Sequence, residues 1–301
     1  MKARVLTMAI AAALFSAATP AALLAHEGRP QPGDNDTTTK TVDLRPKFVK
    51  GREVKFKMTI RSRGMGGPSE GDEGTGESEQ EMVIRLKPKE TNPDTGTTLE
   101  LVYESLKVNM GEIKFDSTKP AEKGDPVDDL FRSIVGLKMN VQMDPNGNIT
   151  SVTHEGGSGV GDLLAQQFTG ADVIKGLFGP ISTRKASDGR AKVGETWKTD
   201  DTMRAAFGNT TLAMTHTLES ARSSRATIKT RGKVTIDGSD GTGLGFKVKD
   251  SSITGTTEWD LDGGMLTRMT QDNRLVVEAP DKDGAIKDQT HTMRVEVTRV
   301  R

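Results

Sequence analysis

The sequence predicts a mainly β, β-rich α+β protein: two similar curved antiparallel sheet halves, an incomplete barrel being one closure they allow, with short helices between them. Three observations carry this. Most apolar residues recur at alternate positions, the mark of half-buried strands. Glycine, Asp and Asn clusters punctuate these runs at the spacing of hairpins. Only one long stretch, near the middle of the chain, carries a helical period.

Residues 1–25 read as a cleavable export signal. Lys2 and Arg4 precede the apolar run Val5 to Leu14, and small residues lead to Ala25, after which cleavage is placed. The run is short and alanine-rich for a membrane span, which needs about 20 strongly apolar residues. The expected location is the periplasm or the outside of the cell. Residues 26–41 are polar, rich in Gly, Pro and Asp, and aperiodic, so they read as a disordered leader.

The first β-rich half spans 42–153. Val54, Phe56, Met58 and Ile60 alternate with charged or small residues, as do Met82, Ile84 and Leu86, and then Leu99, Leu101 and Tyr103 on to Met110. The acidic, glycine-rich tract from Gly64 to Gln80 between the first two runs reads as a long hairpin loop. Asp125 to Val135 reads as a short helix, with acidic residues in its first turn and Leu130, Phe131 and Ile134 on its apolar side. Met139, Val141 and Met143 then lead into the turn Asp144-Pro145-Asn146-Gly147.

Residues 154–190 are expected to form a helical connection. Val160, Leu163, Leu164, Phe168, Ile174 and Phe178 recur at three- and four-residue steps, which gathers them on one helix face. Gly170 divides the run in two and Gly179-Pro180 ends it. A one-sided apolar helix must bury its stripe, and the sheets are the available partner. These six residues are the expected lining of an apolar pocket.

The second β-rich half spans 191–301. Leu212, Met214, His216 and Leu218 alternate, as do Ala226 and Ile228 and then Val234 and Ile236. Trp259 to Leu266 reads as strand, turn and strand, and Met293, Val295, Val297 and Val300 complete the chain. Both halves open on a glycine, a charge and an extended run, and both carry a late acidic-glycine hairpin. An internal duplication and the shared punctuation of all meanders both account for this.

Four segments carry a family resemblance: Phe115-Asp116-Ser117-Thr118, Val135 to Met139 running into Asp144-Pro145-Asn146-Gly147-Asn148, Ala191 to Trp197, and Ser251 to Gly255 before Trp259-Asp260. From Val42 onward the chain resembles an uncharacterised family of secreted bacterial β-rich proteins, with sequences from planctomycetes and related bacteria. The resemblance implies a strand-and-turn framework and no known chemistry. It supplies no catalytic residue.

Composition narrows the function. There is no cysteine, hence no disulfide, thiolate metal site or cysteine nucleophile. Basic and acidic residues number 42 each, a balance that gives no field for nucleic acid or an anionic membrane surface. His26 would head the mature chain and invites a copper-binding terminus with His154, His216 or His291, but such a site needs a docked end rather than a solvated leader. Gly156 to Gly161 lacks the Lys-Ser/Thr ending of a phosphate loop. Asp260 and Asp262 lack the closing acid of a calcium loop. Ser182 to Lys185 lacks its partner motifs. The expectation is a protein that is not an enzyme and has no cofactor or metal. It holds an apolar ligand between sheet and helices, with methionines at 58, 82, 110, 139, 143 and 214 as an adaptable lining. The other expectation is a cell-envelope interaction or structural protein with no small-molecule site.

Overall fold

The computed structural model describes residues 40–64, 76–111, 113–121, 124–154, 174, 189–205, 208–237, 247–280 and 285–300. Val160, Leu163, Leu164, Phe168 and Phe178 lie outside these residues, as does His26.

In chain order the strands are β1 (Thr41–Asp43), β2 (Val54–Arg63), β3 (Glu77–Asn92), β4 (Gly96–Met110), β5 (Ile113–Asp116), β6 (Lys138–Met143) and β7 (Ile149–His154). The second block supplies β8 (Arg190–Lys192), β9 (Thr196–Ala205), β10 (Gly208–Arg222), β11 (Arg225–Asp237), β12 (Lys247–Asp260), β13 (Met265–Pro280) and β14 (Ile286–Val300). One helix, α1 (Pro126–Ile134), lies between β5 and β6.

Twelve strands form one antiparallel sheet in the order β7-β6-β4-β3-β2-β14-β13-β12-β11-β10-β9, with β5 pairing β4. Each block is a meander in which most chain neighbours pair. The two blocks are not separate sheets: β2, the first long strand, pairs with β14, the last, from Val300 opposite Lys55 to Thr292 opposite Arg63. Among the described residues the sheet does not close into a barrel, and β7 and β9 are its edges. The short strands that precede the two meanders, β1 and β8, form a second antiparallel pair.

Alternation explains the strands. In β3 every second residue from Gln80 to Pro88 faces the buried side, while Glu79, Glu81, Val83, Arg85 and Lys87 face the other. The strand begins at Glu77, inside the stretch expected to be loop. Glu77 and Glu79 resemble loop residues in sequence, yet they stand opposite Arg63 and Arg61 and pair with them. Such cross-strand ion pairs make an acidic strand end compatible with the ladder.

Helix α1 starts where Asp125 caps it, its carboxylate accepting from the Val127 amide at 2.8 Å, with Pro126 in the first turn. A cap of this kind contributes about 1 kcal/mol. Phe131 packs on Phe115 of β5 with ring centroids 5.2 Å apart, and Ile134 is fully enclosed, so the helix is fastened to the flank of the first block.

The β1–β8 pair is anchored by burial and by backbone bonds. Leu44 and Ala191 are completely buried, the Leu44 amide donates to the Gly189 carbonyl, and Lys47 bonds the β12–β13 turn through its amide to Gly264 and its Nζ to Leu261.

Candidate functional site: the inner face of the sheet

Directly opposed residues of an antiparallel ladder share a face, so the register defines what the buried side of the sheet presents. One cross-strand row runs Leu218, Ile228, Thr257, Met269, Val297, Met58, Met82 and Leu106 from β10 to β4. It belongs to the larger of two apolar clusters, which extends through Leu101, Met139 and Val141 in the first block and Trp259 in the second. The smaller cluster, Leu212, Met214, Val234, Ile253, Leu275 and Val277, is confined to β10–β13.

Five of the six methionines expected on this face are buried, and Met110 packs on the larger cluster half-buried. Met58 and Met82 are direct cross-strand partners. Ile174, of the residues expected to line a pocket, is helical, completely buried, and part of the larger cluster. Burial pushes the Tyr103 phenol, also in this cluster, well above its ordinary titration range.

A polar row crosses the same face. It runs His216, Thr230, Gly255, Gln271, Val295, Ile60, Gln80 and Val108. The next row holds Asn273 of β13 and the Ser62–Ser78 pair of β2 and β3, whose hydroxyls are 2.6 Å apart. His216 is held between Thr199 Oγ1 at 3.0 Å and Thr230 Oγ1 at 2.9 Å, and it stacks on Trp197 at 5.5 Å. Both ring nitrogens therefore have hydroxyl partners, in keeping with its place in the alternation of β10. Of these polar positions the sequence reading named His216 on its strand and put Gln80 at the end of a loop, although the alternation from Met82 carries back to Gln80.

Three buried side-chain atoms among the described residues have no hydrogen-bond partner: Thr210 Oγ1, Trp259 Nε1 and His291 Nδ1. By register all three residues belong to the inner face of the second block. Burial lowers the His291 pKa.

The outer face is charged. Arg85 reaches Glu53, Glu100 and Glu104, while Lys89 also reaches Glu100. A groove of about 570 Å³ draws on residues of both phases, Arg61, Arg63, Arg274 and Arg294 together with Ser62, Ser78 and Asn273. Each of these arginines is paired, with Glu79, Glu77, Asp250 and Asp272 respectively. The Glu296 carboxylate raises the Arg294 pKa and is itself lowered by that guanidinium. Such mutual neutralisation leaves the groove little net field.

Among the described residues no group of three or more His, Asp or Glu is placed to hold a metal ion, and no helix is long and apolar enough to cross a membrane.

A family described as a family of unknown function (DUF6263) matches residues 94–156, the stretch from the β3–β4 turn to just beyond β7. No curated protein matches the chain. Among solved structures, Rv2717c from M. tuberculosis is similar at 7% identity and a TM-score of 0.24, over 82% of this chain and 91% of that one. DynF from the dynemicin biosynthesis pathway of Micromonospora chersina is similar at 9% identity and a TM-score of 0.24, over 90% of this chain and 92% of that one.

Proposed function

We propose that the protein is an exported, non-enzymatic binding protein that holds an apolar ligand between the inner face of its sheet and the segment carrying Ile174. The observation that carries this reading is Ile174 itself, with no exposed surface, in the same cluster as the methionine-bearing strands. An open sheet with an apolar face and a second layer against it is a common setting for an apolar pocket, and flexible methionines suit ligands of varying shape. Export follows from the leader ending at Ala25, in keeping with the resemblance to secreted planctomycete-like proteins. N-terminal sequencing of the native protein is expected to begin at His26.

Lipid extraction and mass spectrometry of protein purified from its native envelope test the pocket. Stoichiometric apolar ligand is the expected result. A clean extract, with a protein crosslinked to the outer face, would overturn it in favour of a cell-envelope interaction protein. The charged groove beside Arg61 and Arg294 is the observation that favours this second reading.

A further inference from the structure

We propose that the groove over the β2–β14 seam seats the phosphate or sulfate monoester of a sugar, at a site separate from the apolar pocket and independent of it. Position is the first ground. The lining includes two adjacent cross-strand rows of the outward phase. One runs Asn109, Glu79, Arg61, Arg294, Asp272 and Thr254 from β4 to β12. The other runs Glu77, Arg63, Thr292, Arg274 and Ser252 from β3 to β12. Ser62, Ser78, Met293 and Asn273, between the two rows, complete the lining. Charge is sorted along these rows. The four arginines gather at the seam, and Glu77, Glu79 and Asp272 lie outside them. The net field is small, but its centre is positive.

Hydrogen-bonding capacity is the second ground. A guanidinium carries five N–H donors in a fixed fork. Among the described residues Arg61 donates to Glu79 through Nη2 alone, and Arg274 to Asp250 through Nη1 alone. Arg63 uses Nε and Nη2 on Glu77, while Arg294 uses Nε on Glu296 and Nη1 on Asp272. Donors therefore remain on all four, and their side chains, between 48% and 65% exposed, are open to a ligand. Arg61 and Arg294 also stand directly opposite one another, which is unfavourable between like charges. An oxyanion over the seam relieves that repulsion and accepts from the remaining donors.

The surroundings select the kind of anion. Thr292 is exposed, opposite Arg63 on one side and Arg274 on the other, and two residues from Arg294, so a hydroxyl stands amid three arginines. Neighbouring strands lie about 4.8 Å apart, which puts the Cα atoms of Arg63 and Arg274 about 10 Å from one another, a span that two long side chains close over one small group. The three terminal oxygens of a monoester match this many donors better than the two of a carboxylate. Glu77, Glu79 and Asp272 repel a second anionic group, which disfavours a densely charged polymer, and they accept from hydroxyls instead. Asn109, Thr254 and Ser252 extend that capacity at the ends of the rows. A groove of about 570 Å³ has the size of a small-molecule site.

The test titrates the full protein in a calorimeter with glucose, glucose 6-phosphate, glucose 6-sulfate and a heparin hexasaccharide. At least one monoester is expected to bind about tenfold more tightly than glucose, and which one does so names the ester. Heparin is expected to bind no more tightly, per sulfate, than glucose 6-sulfate. Arg63→Gln and Arg274→Gln are expected to weaken the monoester about tenfold and to leave the thermal transition in place, because exposed ion pairs contribute little to stability. Arg225→Gln, which removes an exposed arginine outside the groove, is expected to leave binding unchanged. Equal binding of glucose and its esters, or an ester held unchanged by both groove variants, would overturn the assignment. So would heparin binding most tightly per sulfate, since the flanking carboxylates would then exclude nothing. None of these outcomes bears on the lipid extraction, so the groove and the apolar pocket stand or fall separately.

Discussion

The Arg299 guanidinium on β14 donates to the Asp260 carboxylate at 3.0 Å, tying the last strand to the end of β12. The Gly263 amide also donates to Asp260, at 2.9 Å. That backbone donor first, and Arg299 after it, hold the Asp260 carboxyl below its ordinary value. A lowered folded-state value means stability that is complete above the unfolded carboxylate range and lost as pH falls through the folded one. Asp260→Asn is expected to cost about 1 kcal/mol or less at neutral pH. The difference from wild type should shrink in denaturant titrations carried below about pH 4.

The seam between the two blocks depends on Phe56, which is completely buried on β2 and stands opposite Ile84 on one side and Arg299 on the other. Phe56→Ala is expected to cost about 3–5 kcal/mol, through lost burial and the cavity left behind. Thr59→Ala, on the outer face of the same strand, is expected to stay within about 0.5 kcal/mol. Urea unfolding of both variants gives the comparison, and equal effects would contradict the assignment of faces.

Gly96, which opens β4, has φ +103, and a Cβ there would lie 1.9 Å from the Met143 carbonyl oxygen of β6. Backbone strain and the clash with a ladder carbonyl act together, so Gly96→Ala is expected to destabilise by about 1–3 kcal/mol. Loss of amide-exchange protection should appear first in β6 and β7, the edge that this approach supports.

His291 provides a second pH dependence with its own sign. Burial lowers its pKa, so the unfolded chain takes up a proton more readily than the folded one. Its neutral form favours the native state fully above about pH 6.5, and that contribution is lost as pH falls toward the lowered folded-state value. His291→Leu is expected to flatten the fall in Tm between pH 7.5 and pH 5. An unchanged slope would place the acid sensitivity elsewhere.

Much of the architecture was legible because the alternation in β2, β3, β4 and β10 is strong and local. Helix α1 announced itself through Asp125, Pro126 and its acidic first turn, and the turn at Asp144 to Gly147 through its residue types. The β2–β14 pairing had no such signal, since Val54 and Val300 are separated by most of the chain and any two amphipathic strands could pair. The start of β3 was hidden because Glu77 and Glu79 read as loop until Arg63 and Arg61 stand opposite them. At the candidate site Ile174 was legible as a buried helical position. The polar row was not, because amides at inward strand positions break the hydrophobic pattern that reveals a core.

The seam has a consequence for how the chain is made. Residues of β2 are made long before β14, their partner on one side, and wait for it before their second edge is covered. Until then a ten-residue strand with a free rim is available to any passing polypeptide. Completion of the central ladder is thus postponed until β14, more than 200 residues further along the chain, has been made.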